Sequence, residues 1–415
     1  MPFRLEFLVE QVRLWFPAAQ STIKAQAADL EAKLTSLDLN PLAAEEAARL
    51  QQGIDLLLSP QVHRDHIRSH LTEAIDHWCS HDQTANHLVV LGSPVESPAT
   101  AIQELLNDWH SSELPVQFLS WSTRPYGCST LREKLQGEIG ACSLHPIPDL
   151  AQTITDLPFD RHSLVVIPDL SWCFLRCVEG LEGIEYLFDL ILEDRSRFWL
   201  IGCNHWTWRY FNYVFQVRQR FDQTIALSPL NDVELKQWLV PLFKMAEFQF
   251  GNGKSEATEA KPLAHQPITP QEVWASNAEE RYFDHLADIS LGLSQVAAQL
   301  WLHSLGYVEE SEPEELPTEE NKPITLKQAT LPDLPTLSKD DRYLLFSLGL
   351  HGGMRLADLA LSLGDAESLV RTQVQALWRS GVILRQQDLW QLNPYHYPRL
   401  RRELNNNQVL VGDEY

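Results

Sequence analysis

The chain has 415 residues, enough for about two or three domains, and its 44% hydrophobic fraction with 13 tryptophans can build a sizeable core. Thirty-three basic against 56 acidic residues give a net charge of −23. That excess argues against a whole-chain grip on nucleic acid or anionic lipid, while leaving room for one local basic face.

Residues 3–83 read as helical. Leu5, Leu8, Val9, Val12 and Trp15 recur at helical spacing, and Pro17 breaks the pattern. A second amphipathic stretch carries Ile23, Ala27, Leu30, Leu34 and Leu37. A third runs over 45–58 and a fourth over 62–78. From His87 the pattern changes to short apolar runs followed by helical segments. The runs are Leu88–Leu91, Val116–Trp121, Leu164–Ile167, Phe198–Gly202 and Thr224–Leu227. Runs apolar nearly throughout fit strands buried on both faces, as in a parallel sheet between layers of helices. Five such units predict a three-layer α/β domain over 84–230.

Asn231 and Asp232 can cap the next helix, which runs to about Met245. Gly251, Gly253, Pro262, Pro267 and Pro270 mark a loop, and further helices complete a helical region over 231–306. Glu309–Glu320 holds seven glutamates and no basic residue, so 307–336 is expected to be a solvated linker. Over 337–404 three helices (341–350, 356–363, 367–380) precede a hairpin of 381–384 with 389–392, the outline of a winged helix; 405–415 is a tail.

The first strand runs into Gly92-Ser93-Pro94-Val95-Glu96-Ser97-Pro98-Ala99-Thr100 and a helix, the place of a phosphate loop. In GxxxxGK[ST] the second glycine admits the phosphates, the lysine neutralises them and the hydroxyl holds magnesium. Counted from Gly92 those positions are Ser97, Pro98 and Ala99. Pro98 has no N–H to offer, and Glu96 adds negative charge. The Gly253-Lys254-Ser255 triplet lacks the required glycine at position 248, which is Phe, and lacks the strand–helix context. The third strand ends at Asp169, either a magnesium ligand or an N-cap, and Leu170 follows where a hydrolysing enzyme wants a water-activating glutamate. The fourth strand ends at Asn204, the place of a γ-phosphate sensor. Trp206, Tyr210, Tyr213 and Val214 then share a helical face expected to pack.

Residues 87–305 resemble an ATPase core of the AAA+/STAND class, on the origin-recognition-like branch. The resemblance rests on Val165–Tyr213, Leu227-Ser228-Pro229-Leu230, and Ser290–Ala297, which is similar to the family's lid motif but carries no arginine there. It implies a P-loop NTPase-like parallel five-stranded sheet with a helical N-terminal region, a helical lid and a C-terminal winged helix. Bacterial ATPases associated with small mechanosensitive channels look most similar, which implies a peripheral link to a membrane channel. The family's nucleotide-contacting positions fall on Gly92, Ser97, Thr100, Asp169 and Asn204.

The losses at the loop, at Leu170 and in the lid make a non-hydrolysing scaffold acting through protein contacts the leading expectation, with no cofactor. The alternatives are ATP and magnesium held in an atypical site, and DNA read by Arg371, Gln373, Gln375 and Arg379 on the third helix of the winged outline. From Ser338 to Leu404 there are nine basic and seven acidic residues, a balance short of a clear basic face. An oligomer is compatible with the class. The six cysteines are too few for a disulfide scaffold, and Cys173 and Cys177 have neither a CxxC partner nor a His pair at zinc spacing, so no metal is expected. Reduced thiols, a start without the apolar core of a signal peptide and no run near eighteen apolar residues point to a cytoplasmic protein without a membrane span.

Overall fold

The computed structural model describes residues 39–81, 84–109, 114–121, 123–125, 129–133, 135, 163–246, 270–308 and 324–409. The helices expected over 5–15 and 23–37, the Gly253-Lys254-Ser255 triplet and Glu309–Glu320 lie outside them.

In chain order the first elements are β1 (Leu39–Pro41), α1 (Ala44–Asp55), α2 (Gln61–Ser80), β2 (His87–Gly92), α3 (Pro98–Asn107) and β3 (Val116–Phe118). Next come β4 (Ser163–Ile167), a short 3-10 turn (Leu170–Cys173), α4 (Glu182–Glu193), β5 (Arg197–Asn204), α5 (His205–Phe215), α6 (Val217–Arg220) and β6 (Thr224–Ala226). Then follow α7 (Asp232–Met245), α8 (Pro270–Ser290), α9 (Ser294–Ser304), β7 (Leu305–Val308) and β8 (Ile324–Leu326). The last are α10 (Lys339–His351), α11 (Leu356–Leu363), α12 (Glu367–Arg379), β9 (Ile383–Gln386), β10 (Leu389–Leu392) and α13 (Tyr397–Asn406). They form two compact units.

The larger unit takes Leu56–Trp238, Ala287–Gln299 and Leu331–Tyr415. Its centre is the expected five-stranded sheet, parallel throughout, in the order β3-β4-β5-β2-β6. Alternate strand residues feed opposite faces. Val89, Leu91, Val165, Ile167, Trp199 and Ile201 pack with Leu187 and Ile191 of α4 and Phe211 of α5. Leu88, Val90, Leu164, Val166, Phe198 and Leu200 pack with α2 and α3. Burial on both faces explains why these strands read as continuous apolar runs. The domain is a three-layer α/β fold around a parallel sheet. Its first strand, β2, lies between the two last ones, so the order of the chain reverses there, and that is where such sheets open a crevice at their strand ends.

Ile67, Leu71, Ile75 and Trp78 of α2 pack directly on the sheet, so α2 is a layer of the α/β unit. By contrast α1 belongs to the second unit, which takes the chain up to Asp55, Leu239–Leu286 and Leu300–Thr330. There β1, β7 and β8 make an antiparallel sheet, and Phe243, Phe283 and Trp301 meet edge to face. This sheet takes in Tyr307, Val308 and Ile324–Leu326, residues expected to be linker. The helices α7, α8 and α9 each contribute to both units.

Asn231 caps α7 as expected: its Oδ1 accepts the Glu234 N–H at 2.9 Å and the Glu234 carboxylate accepts the Asn231 N–H at 3.0 Å. At the C-terminal end α10, α11, α12 and the β9–β10 hairpin follow in the expected order, and Met354 pairs with Trp390 to extend the hairpin. Ser338 and Asp341 close a capping box on α10. Among the described residues no helix is long and apolar enough to cross a membrane.

Candidate functional site

The segment after β2 is a tight turn rather than an open cradle. Ser93 N–H donates to Glu96 O at 3.0 Å and Glu96 N–H donates back to Ser93 O at 3.2 Å. A Cβ on Gly92 would stand 2.7 Å from both Glu96 O and Pro98 Cδ, so glycine is required there by the turn's own closure. Ser97 is the N-cap of α3, with Pro98 in the first turn and buried. Proline suits that position because its missing N–H would have had no helical partner. It is also one N–H fewer for a phosphate. Thr100 is exposed on α3 and meets none of the other predicted site residues.

The structure brings Ser97 and Asp169 together. Ser97 Oγ donates to Asp169 Oδ2 at 3.2 Å and accepts the Ala99 N–H at 3.3 Å. Asp169 Oδ1 accepts the Ser171 N–H at 2.9 Å, so the aspartate is the N-cap of the 3-10 turn. Burial pushes its carboxyl above the usual carboxylate range, opposed by the Ser171 bonds, the Arg124 charge and Ser97. Asn204, which pairs with Gly92 across β5 and β2, caps α5: its Oδ1 accepts the Thr207 N–H at 2.9 Å. Its Nδ2 donates to Leu350 O at 3.3 Å, and Thr207 Oγ1 donates to the same carbonyl. The two polar groups expected to meet metal and γ-phosphate thus have protein partners on every side that is hydrogen-bonded.

Sequence reasoning missed the residues that bind the α10 end to this crevice. Arg124, only 2% exposed, donates to Ser171 O and His351 O, to Gly353 O at 2.9 Å and to Phe174 O at 3.4 Å. Its guanidinium also lies over Trp172, 4.5 Å from the ring centroid. A planar, always charged fork suits a cluster of carbonyls at a helix C-terminus. His351, fully buried, stacks on Phe174, takes the Arg176 N–H on Nε2 at 3.0 Å and donates from Nδ1 to Ser347 O at 2.9 Å. Burial, then the Arg124 charge, holds its pKa well below the ordinary value, so the ring is neutral. Trp206 completes the seam, stacked on Phe346 and tilted against Tyr397. Of the aromatic face expected on α5, Trp206 packs here, but Tyr213 is 89% exposed and Val214 is exposed as well. The residues of α5 that enter the sheet's core are Trp208 and Phe211.

A second cluster joins the turn to the start of α9. Glu96 Oε1 accepts from Ser294 Oγ at 2.6 Å and faces His63 Nδ1 at 3.9 Å. The other nitrogen of that ring, Nε2, meets Ser228 O at 2.9 Å.

On α12 the inward face is Val370, Val374 and Leu377. Trp378 lies one residue beyond that stripe, about 100° further round the helix, and is 51% exposed. Arg371, Gln375 and Arg379 are exposed, Arg371 in an ion pair with Glu367 at 2.7 Å, and Gln373 is half-buried. Among the described residues no group of three or more metal-ligating side chains converges.

The chain is similar to Cdc6p from Pyrobaculum aerophilum (12% identity, 85% of this chain and 100% of that one, TM-score 0.34). It is similar also to Thermotoga maritima RuvB (15%, 84% and 96%, TM-score 0.30) and to a Walker-type ATPase of Pyrococcus abyssi (11%, 81% and 95%, TM-score 0.31). At these identities and TM-scores the likeness carries nothing about activity. No protein-family model matches the chain. No curated protein matches it.

Proposed function

We propose that this protein is an ATPase-like scaffold that does not hydrolyse ATP and acts in the cytoplasm through protein contacts. The observation that supports the reading most is the re-use of the site's polar groups. Ser97, Asp169 and Asn204 are each taken up as helix caps and as bonds to neighbouring backbone, and Asn204 holds a carbonyl of α10. Hydrolysis works by aiming charge at a transferring phosphoryl group, and Pro98, Ala99 and Leu170 supply none. The contact surface in this reading is the exposed face of α12 and the hairpin, with Leu369, Trp378 and Leu384 open to solvent.

The test is phosphate release from ATP by purified protein, with the triple variant Ser97→Gly, Pro98→Lys, Ala99→Thr alongside. Neither should exceed contaminant level, because the variant removes a partner of Asp169 and still lacks a group to position water at Leu170. Turnover by the wild-type protein that Asp169→Ala abolishes would make the chain an ATPase with an unusual grip. A second reading, duplex DNA bound through Arg371, Gln373, Gln375 and Arg379, draws support from the exposure of Arg371, Gln375 and Arg379 on α12.

A further inference from the structure

We infer that the Glu96 carboxylate is the resident anion of this site: it occupies the anion position at the first turn of α9 and so latches the turn after β2 to that helix. The inference builds on the reading that the loop no longer cradles a triphosphate, and it is tested apart from it, since no nucleotide enters the experiment.

The start of α9 needs an anion from elsewhere. The helix has no acidic residue in its own first turn. Its opening carbonyl is that of Leu293, bonded to the Ala297 N–H at 2.9 Å, and leucine has no side-chain oxygen to cap with. The chain enters through Leu291 and Gly292, both at positive φ (61° and 65°). Gly292 is pressed against Pro229 and Leu230, where a Cβ would stand 2.6 Å from Pro229 Cβ, and Leu230 N–H donates to Gly292 O at 2.9 Å. This turn is thereby fixed on the α/β unit with the first-turn N–H groups of α9 aimed at the β2 turn.

Glu96 meets them. Its Oε1 accepts from Ser294 Oγ at 2.6 Å, and the backbone N–H groups of Ser294 and Gln295 donate to the carboxylate. The side chain is 11% exposed, and Oε2 is buried without a hydrogen-bond partner. Burial pushes the Glu96 carboxyl above its usual range, opposed by the Ser294 hydroxyl, the His63 ring 3.9 Å away and the Gln295 and Ser294 N–H groups, so the helix N-terminus and that ring are what favour the charged form. Free backbone donors and a favourable dipole are what a phosphate oxygen finds at a helix N-terminus. Here the chain supplies that oxygen itself from a residue 198 positions earlier. An external anion is excluded by occupancy and by like charge.

The experiment uses the full-length protein, Glu96→Ala, and Glu96→Gln, which keeps volume and an acceptor oxygen but not the charge. Amide hydrogen exchange is read at Ser294, Gln295 and Val296, with the melting temperature, in sodium phosphate and in sodium chloride of matched ionic strength. In the alanine variant these amides should exchange at least about tenfold faster and the melting temperature should fall by roughly 3–10 °C. Phosphate on the order of 10–50 mM should then restore protection in Glu96→Ala and leave the wild-type protein unchanged. If the alanine variant does not fold, Glu96→Gln carries the exchange measurement, with a smaller acceleration at the same amides. Unchanged protection in both variants, or equal protection by phosphate in wild type and Glu96→Ala, overturns the inference.

Discussion

Gly349 offers a direct measurement of how tightly α10 is seated on α5. A Cβ built there would stand 2.1 Å from Trp206 Cζ3 and 2.4 Å from Cε3. Non-bonded carbons settle at about 3.5 Å or more, so alanine requires a relative shift of roughly 1.4 Å. The indole cannot supply it cheaply: Trp206 is 2% exposed, with Phe346 and Tyr397 each 6.0 Å away between ring centroids. Overpacking of this kind costs about 1–3 kcal/mol, and the better helix propensity of alanine returns about 1 kcal/mol. Gly349→Ala should therefore lose up to about 2 kcal/mol. Gly349→Val, bulkier and without that return, should lose about 3 kcal/mol or more. Urea denaturation of the two variants, of Trp206→Leu and of Gly349→Ala with Trp206→Leu gives the coupling. The smaller leucine relieves the clash, so the double variant should be more stable than the sum of the singles by at least about 1 kcal/mol. Additivity within about 0.5 kcal/mol, or a Gly349→Val protein as stable as wild type, would refute the packing argument.

Arg124→Ala removes the donor to four carbonyls in a site closed to water, and should cost about 3–5 kcal/mol by urea denaturation. Arg124→Lys should recover less than half of that loss, because an ammonium cannot fork. His205 has its pKa lowered to about 4, by burial first, while its Nδ1 is hydrogen-bonded to Gly92 O at 2.9 Å. Its unfolded state therefore binds the extra proton between about pH 6.5 and 4, so this group's contribution is intact above pH 6.5 and is lost as pH falls. His205→Asn, which keeps a donor for Gly92 O, should flatten stability against pH in that window by about 1.4 kcal/mol per pH unit; parallel curves would show that His205 titrates normally. In a mobility-shift assay at physiological salt the full chain should leave duplex DNA unshifted. Binding tighter than about micromolar, lost in Arg371→Ala or Arg379→Ala, would put the DNA reading ahead of the scaffold.

The sheet was legible because its residues obey a local rule. Strands such as β2 and β5 are buried on both faces, and that alone produces the apolar runs at Leu88–Leu91 and Phe198–Gly202. Caps were legible for the same reason, since Asp169 and Asn231 act on N–H groups two or three residues away. The fate of α1 and α2 was not. Both are amphipathic helices in sequence, yet α2 packs on the five-stranded sheet and α1 belongs to the other unit. Nor could Arg124 be found from its neighbours: its partners are carbonyls at 171, 174, 351 and 353, and a carbonyl carries no side-chain signature.

The same contacts bear on whether the α10 end could act as a moving element. A switch needs two arrangements within a few kcal/mol of each other. Withdrawing α10 would strip Arg124 of two of its carbonyls, free the Leu350 carbonyl from Asn204 and Thr207, part His351 from Phe174 and uncover Trp206. Each is a buried polar or aromatic contact whose loss costs on the order of 1–3 kcal/mol unless water replaces it well. Together they exceed what the differential affinity of a typical effector returns. The end of α10 is therefore a fixed wall of the crevice, and Asn204 binds to it through the Leu350 carbonyl.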